Sequence, residues 1–129
     1  VKGKVAFLAD DMLGTGGTLL KAMSFLKENG ATKVIAAISL PFFTGNAIEL
    51  FDEAYKKGLF YRIIGTNAVY HEELLTKEWY ISTDVSGLFA NVITRIHHNQ
   101  SIGNLLDNRT IIEKIVKSVE QNTSQEEKN

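Results

Sequence analysis

Short apolar runs alternate with segments of helical periodicity along most of the chain. Val5-Ala6-Phe7-Leu8-Ala9 is apolar without a break, which predicts a strand covered on both faces. Leu19, Met23 and Leu26 then recur at helical spacing, and Asn29-Gly30 supplies the stop. Val34 to Ile38 predicts a second strand, and Pro41, the single proline, falls just beyond it, where no ladder donor is needed. Asn46 to Lys57 predicts a helix with Ile48, Phe51 and Tyr55 on one side. Phe60 to Ile64 predicts a third strand and Trp79-Tyr80-Ile81 a short fourth. Asp84 is suited to cap a long helix in which Val85, Leu88, Phe89, Val92, Ile93 and Ile96 form a broad apolar face. A last helix is predicted from Arg109 to Val119, capped by Asn108 and carrying Ile111, Ile112, Ile115 and Val119. The tail from Gln121 to Asn129 is polar and aperiodic, hence frayed. The alternation of strand and helix predicts an α/β fold with a doubly wound, mainly parallel sheet.

Four strands make a thin sheet. A doubly wound domain that opens on its ligand-binding strand ordinarily has sheet neighbours from upstream, so an incomplete domain is expected. The start, Val1-Lys2-Gly3-Lys4, has neither an initiator methionine nor the apolar core of a signal peptide. A removed upstream part accounts for this; a natural start trimmed of its methionine is the alternative. A missing part would also leave apolar sheet or helix surface exposed, favouring association. The formal net charge of -1 gives no general attraction to nucleic acid or to acidic membrane surfaces. No stretch approaches the roughly 20 apolar residues that span a bilayer. The lack of cysteine excludes disulfides and thiolate zinc sites and is compatible with a cytoplasmic location.

The segment that carries chemistry is Asp10-Asp11-Met12-Leu13-Gly14-Thr15-Gly16-Gly17-Thr18, between the first strand and the first helix. In open α/β sheets ligands bind beyond the carboxyl ends of the strands, where this loop must lie. Gly14, Gly16 and Gly17 permit positive backbone dihedrals and close approach of main-chain amides. The helix start offers unpaired N–H groups and a positive dipole end, both suited to phosphate, and Thr15 and Thr18 add hydroxyl donors. Asp10 and Asp11 would repel a phosphate, so they suit a sugar's vicinal hydroxyls or, through water, a magnesium ion. Phosphate donors and diol acceptors a few residues apart describe a ribose 5-phosphate held at both ends. The P-loop pattern is absent, since no lysine precedes Thr18, and the dinucleotide fingerprint fails on glycine spacing. A plain strand-to-helix turn would need neither two acids nor three glycines.

This segment resembles the phosphoribosyl-pyrophosphate loop of type I phosphoribosyltransferases and ribose-phosphate pyrophosphokinases. In that pattern a buried strand is followed by two acids, two apolar residues, Asp or Ser, Thr, Gly or Ala, Gly and Thr. Other segments favour the pyrophosphokinases. Leu26 to Ala31 is similar to their helix ending, and Thr44-Gly45-Asn46-Ala47-Ile48-Glu49 resembles their Ser-Gly-Pro-Ala-Ile-Glu segment. Thr66-Asn67 matches a Thr-Asn or Thr-Asp pair. Leu88-Phe89-Ala90, Ile93, Arg95-Ile96-His97 and Ser101-Ile102 with Leu105 follow their C-terminal pattern. The resemblance runs from Lys2 to about Leu106. It divides the chain into residues 1–107, the ribose-phosphate-binding part of a C-terminal phosphoribosyltransferase-like domain, and residues 108–129, an added helix and polar tail.

What the resemblance implies is a parent enzyme that moves the pyrophosphoryl group of ATP onto the C1 hydroxyl of ribose 5-phosphate, using magnesium, for nucleotide biosynthesis. Asp10 would hold the ribose, with Asp11 as its neighbouring acid, and Gly14 to Thr18 would hold the 5-phosphate. No residue of this chain is expected to be catalytic or a metal ligand. The family's ATP-binding arginine and histidine and its basic catalytic loop lie upstream, so ATP would reach this part only through the missing portion. Identical subunits are expected to assemble. Three positions depart from the pattern: Gly14 replaces Asp or Ser, Leu40-Pro41 replaces small and polar residues, and Ala68 replaces a hydroxyl residue. The alternatives are a non-catalytic regulatory relative and a nucleobase phosphoribosyltransferase fragment, though neither a base-binding hood nor an acid at position 14 is present. Among the remaining residues, His97-His98 suits a helix end and His71 the solvated surface. Trp79 suits packing against the sheet. Lys21, Lys27, Lys56 and Lys57 suit exposed helix faces, and Arg62 and Arg95 subunit contacts.

Overall fold

A computed structural model of the chain describes residues 1–109 and 112–118. The order of elements is β1 (Val5–Leu13), α1 (Gly17–Glu28), β2 (Lys33–Pro41), α2 (Ala47–Lys56), β3 (Arg62–Thr66), a 3-10 turn (Glu73–Thr76) and β4 (Tyr80–Thr83). Two helices follow, α3 (Ser86–His97) and α4 (Gly103–Leu106). The strands form one four-stranded sheet in the order β1-β2-β3-β4, and all three pairings are parallel. The α/β class and the parallel sheet are therefore as expected.

The chain divides into two compact units, Val1–Ser86 and Gly87–Asn129. In the first, α1 and α2 pack side by side on one face of the sheet. Met23 of α1 and Phe51 of α2 join Val34, Ala36 and Ile38 of β2 and Ile63 of β3 in one buried cluster. Removing a side chain such as Phe51 from water contributes about 2–3 kcal/mol. Trp79 completes the floor, 2% exposed, with its indole Nε1 donating to Asp52 Oδ1 at 2.7 Å. Its predicted packing against the sheet holds.

Asp52 also accepts from Lys77 Nζ at 2.7 Å, and Lys77 reaches Glu73 at 3.2 Å. Burial alone would push the Asp52 carboxyl up, but the hydrogen bonds from Lys77 and Trp79, with the Lys77 charge, outweigh it and hold it below its ordinary value. The hydrogen bond to Asp52 raises Lys77 in turn, against the opposing effect of burial. This network ties α2 to the segment that leads into β4.

Several expectations need correction. The residues of this chain do not supply the expected cover on both faces of β1, which lies at the end of the four-stranded sheet with Phe7 62% exposed. The strand also runs on through Asp10 and Asp11 to Leu13, because Met12 and Leu13 pair with Leu40 and Pro41. Pro41 is thus the last residue of β2 rather than a residue beyond it, and it is buried. A parallel partner leaves the final residue of a strand able to pair through its carbonyl alone. Strand β3 starts two residues later than predicted, since Phe60 turns into the aromatic core instead of joining the ladder. His71 is not simply solvated. Its Nε2 lies 3.0 Å from the Pro41 carbonyl oxygen and its ring meets Phe43 edge-on.

Within the chain, Arg62 stacks on Tyr61 and pairs with Glu78 at 3.9 Å. Arg95 likewise donates to the Ser101 carbonyl. Lys21, Lys56 and Lys57 are exposed; Lys27 is half-buried and donates to the Thr32 carbonyl. At the end of α3 the rings of His97 and His98 meet edge-on, 5.1 Å apart. Arg109 and residues 112–118 are helical, and Ile112 N–H donates to Asn108 O at 2.9 Å. Ile111, Val119 and the predicted tail lie outside the described residues. Among the described residues no helix is long and apolar enough to cross a membrane.

Candidate functional site

Strand β1 delivers Asp10 and Asp11 to the carboxyl edge of the sheet. Asp10 Oδ1 accepts from the Asp11 main-chain N–H at 2.9 Å, which orients the first carboxylate along its own backbone. The chain then leaves the strand at Leu13 and reaches α1 through Gly14, Thr15 and Gly16. Gly16 is the N-cap of α1, with φ 76° and ψ -3°, and a Cβ there would run into the Phe51 ring. This position requires glycine. Gly14 and Gly17 do not: neither has a positive φ, contrary to the expectation for all three glycines. Open space surrounds Gly17, and a Cβ on Gly14 would meet Thr44 Oγ1 at an ordinary 3.6 Å.

The N-terminus of α1 has no acidic residue in its first turn and no side-chain cap. The first hydrogen bond of the helix is Leu20 N–H to Gly16 O, at 2.9 Å. The amides of Gly17, Thr18 and Leu19 therefore stand free of helical partners, at the positive end of the helix dipole.

A pocket of about 230 Å³ gathers Asp10, Gly14, Thr15, Gly16, Gly17 and Thr18. Six of the seven residues proposed from the sequence thus share one wall-to-wall space. Asp11 is exposed and does not line it. A second hollow of about 220 Å³ shares Asp10 and extends across the strand ends to Ser39, Thr66 and Thr83. Thr66 Oγ1 donates to the Ser39 carbonyl at 2.5 Å and accepts from the Ala68 N–H at 3.2 Å. Sequence reasoning did not single out Ser39 or Thr83. Their position at or near the carboxyl ends of parallel strands was the available signal.

Beside them, Asn67 Nδ2 donates to Asp84 Oδ1 at 2.8 Å, and Asn67 Oδ1 accepts from Val85 N–H. The Ser86 main-chain N–H also donates to Asp84, as the predicted cap requires, and chiefly that bond holds the Asp84 carboxyl below its ordinary value.

The family model of the phosphoribosyl synthetase-associated domain matches residues 1–107. The chain belongs to this family. Among its relatives, the ribose-phosphate pyrophosphokinase of Wolinella succinogenes is 39% identical over 105 residues, which cover 81% of this chain and 32% of that protein. Ribose-phosphate pyrophosphokinase 2 of Schizosaccharomyces pombe is 38% identical over 103 residues, covering 79% and 31%. The crystal structure of phosphoribosylpyrophosphate synthetase from Mycobacterium smegmatis superposes with a TM-score of 0.66 at 30% identity, over 77% of this chain and 32% of that one. The chain spans about a third of the length of the curated relatives it matches. Within this phosphoribosyl synthetase-associated domain, the glycine at position 14 is not forced by its backbone or by a clash at Cβ, since a Cβ there would meet only Thr44 Oγ1, at 3.6 Å.

Proposed function

We propose that the chain is the ribose 5-phosphate-binding part of an enzyme that transfers the pyrophosphoryl group of ATP to ribose 5-phosphate, giving phosphoribosyl pyrophosphate for nucleotide biosynthesis. One observation carries the reading: a carboxylate, Asp10, lines the same pocket as the uncompensated start of α1. The first suits a sugar diol and the second a phosphate. In this reading the amides of Gly17 and Thr18 and the hydroxyls of Thr15 and Thr18 donate to the 5-phosphate, while Asp10 accepts from the ribose hydroxyls. The C1 hydroxyl oxygen then bonds to the pyrophosphoryl group as AMP leaves. Such a transfer is accelerated mainly by positioning and charge stabilisation, so fixing the sugar is a direct contribution.

Magnesium belongs to the same proposal. The described residues hold no cluster of three His, Cys, Asp or Glu side chains for a metal. Magnesium does not need one: it keeps much of its water and joins one or two carboxylates to substrate phosphates. Asp10, the carboxylate that lines the pocket, suits that role through a bound water, so the ion would be shared with the substrate. The groups that hold ATP belong to the remainder of the parent enzyme, which we further propose to be a cytoplasmic assembly of identical subunits.

Calorimetric titration tests this. Ribose 5-phosphate should bind the 129-residue chain weakly, ATP should not bind, and no phosphoribosyl pyrophosphate should form from the two. Binding of neither ligand would favour a regulatory relative instead, a reading that the missing carboxylate at Gly14 would then explain. Turnover at an enzyme-like rate would overturn the assignment of ATP binding to another part.

A further inference from the structure

Among the described residues, the loop between β2 and α2 contains the least expected backbone, at Phe43. Phe43 has φ 46°, a left-handed conformation that a bulky side chain rarely adopts. Such a residue persists only where its surroundings over-determine it, and those surroundings commonly serve a site. Here the ring is locked among Phe51, Trp79, Tyr80 and His71, with centroids 5.4–6.1 Å away. The main chain so fixed points at the candidate site. Phe43 N–H donates to Leu13 O at 3.1 Å, and Thr44 N–H donates to Gly14 O at 3.0 Å. Two residues beyond Gly14, Gly16 lies against the Phe51 ring, at its Cε2 and Cζ, so closely that no Cβ would fit.

We propose that Phe43 and Phe51 are positioning residues for the sugar-phosphate loop: Phe43 is a strained strut that grips Leu13 and Gly14, and Phe51 is the floor on which Gly16 rests. The segment is held at both ends, so the amides of Gly17 and Thr18 are aimed before any ligand arrives. This inference rests on the proposed binding of ribose 5-phosphate, and it adds two residues that never touch that ligand. Phe60 is the internal control. It is as buried as Phe43 and belongs to the same aromatic group, with its ring partners in Phe51, Tyr55 and Trp79.

The test compares Phe43→Leu, Phe51→Leu and Phe60→Leu in the full 129-residue chain, below each variant's unfolding transition. Two quantities are read: affinity for ribose 5-phosphate, and hydrogen exchange of the amides at 43, 44 and 20 without ligand. The first two variants should weaken affinity about tenfold and speed exchange at those amides by a similar factor. Phe60→Leu should lower stability yet leave both within about twofold. Should Phe43→Leu fail to fold, Phe43→Gly tolerates the left-handed backbone while removing the ring, and the same result is expected of it. Folded variants at 43 and 51 that behave like Phe60→Leu would overturn the proposal. If the unaltered chain binds no sugar phosphate but exchange at 43 and 44 responds, the strut stands and the binding reading falls.

Discussion

Two turns connect a strand to a helix at the same edge of the sheet, and they are built for opposite ends. The turn from β2 to α2 runs through Phe43 and Gly45, both left-handed, and enters a helix with Glu49 in its first turn. That acid satisfies the positive end of the α2 dipole from within the chain. The turn from β1 to α1 also uses a left-handed residue, Gly16, but the first turn of α1 contains no acid. Its acids sit on β1, at Asp10 and Asp11, outside the helix itself. One helix supplies its own counter-charge in its first turn, and the other has none there. Similar local geometry thus gives two electrostatically different turns through the placement of a few charges, and the proposed phosphate site falls at the one without an acid.

The largest effect should come from Gly16. Gly16→Ala meets both a positive φ and the Phe51 ring, so it should lose about 2–4 kcal/mol in urea unfolding, whereas Gly17→Ala should stay within about 0.5 kcal/mol. Equal costs would show that the loop is not seated on Phe51.

On the α2 side, Asp52→Ala leaves the Trp79 indole without its acceptor and should lose about 1–3 kcal/mol. The depressed Asp52 carboxyl makes this stabilisation full above its ordinary value of 3.8 and lost as the pH falls through the lower folded value. Acid unfolding followed by tryptophan fluorescence should therefore begin below that value, and Asp52→Ala should remove this component of the pH dependence.

Exchanging the charge logic of the two turns gives a smaller change in stability with opposite signs. Thr18→Glu puts an acid at the start of α1 and should stabilise by about 0.5 kcal/mol, and Glu49→Gln should cost a similar amount. Only Thr18→Glu should weaken ribose 5-phosphate binding, by about tenfold or more in calorimetry. The smallest effect is expected of Gly14→Asp, whose Cβ would meet Thr44 Oγ1 at an ordinary 3.6 Å; its unfolding free energy should change by no more than about 0.5 kcal/mol, read as the corresponding shift in melting temperature.

The elements were legible because their apolar periodicities are strong, as in Leu19, Met23 and Leu26 of α1. Their ends were less so. Nothing local in Asp10 to Leu13 says strand; that extension depends on pairing with β2, a long-range contact. The candidate loop was readable because its chemistry is concentrated in consecutive residues, and six of the seven line one pocket. Asp11 stands apart from the pocket because β1 runs on through it to Leu13, and alternate residues along a strand point to opposite sides. The role of His71 was hidden because its partner is a main-chain carbonyl, 30 residues away at Pro41. The conformation of Phe43 left no trace in the sequence, since its cause is the packing of four other rings.

The contrast between the two turns can be read at single residues. In amide NMR spectra of the chain, ribose 5-phosphate should shift the signals of Gly14 to Leu19 and leave those of Gly45 to Ile48 near their starting positions. Shifts of equal size at both turns, or none at Gly17 and Thr18, would contradict the account.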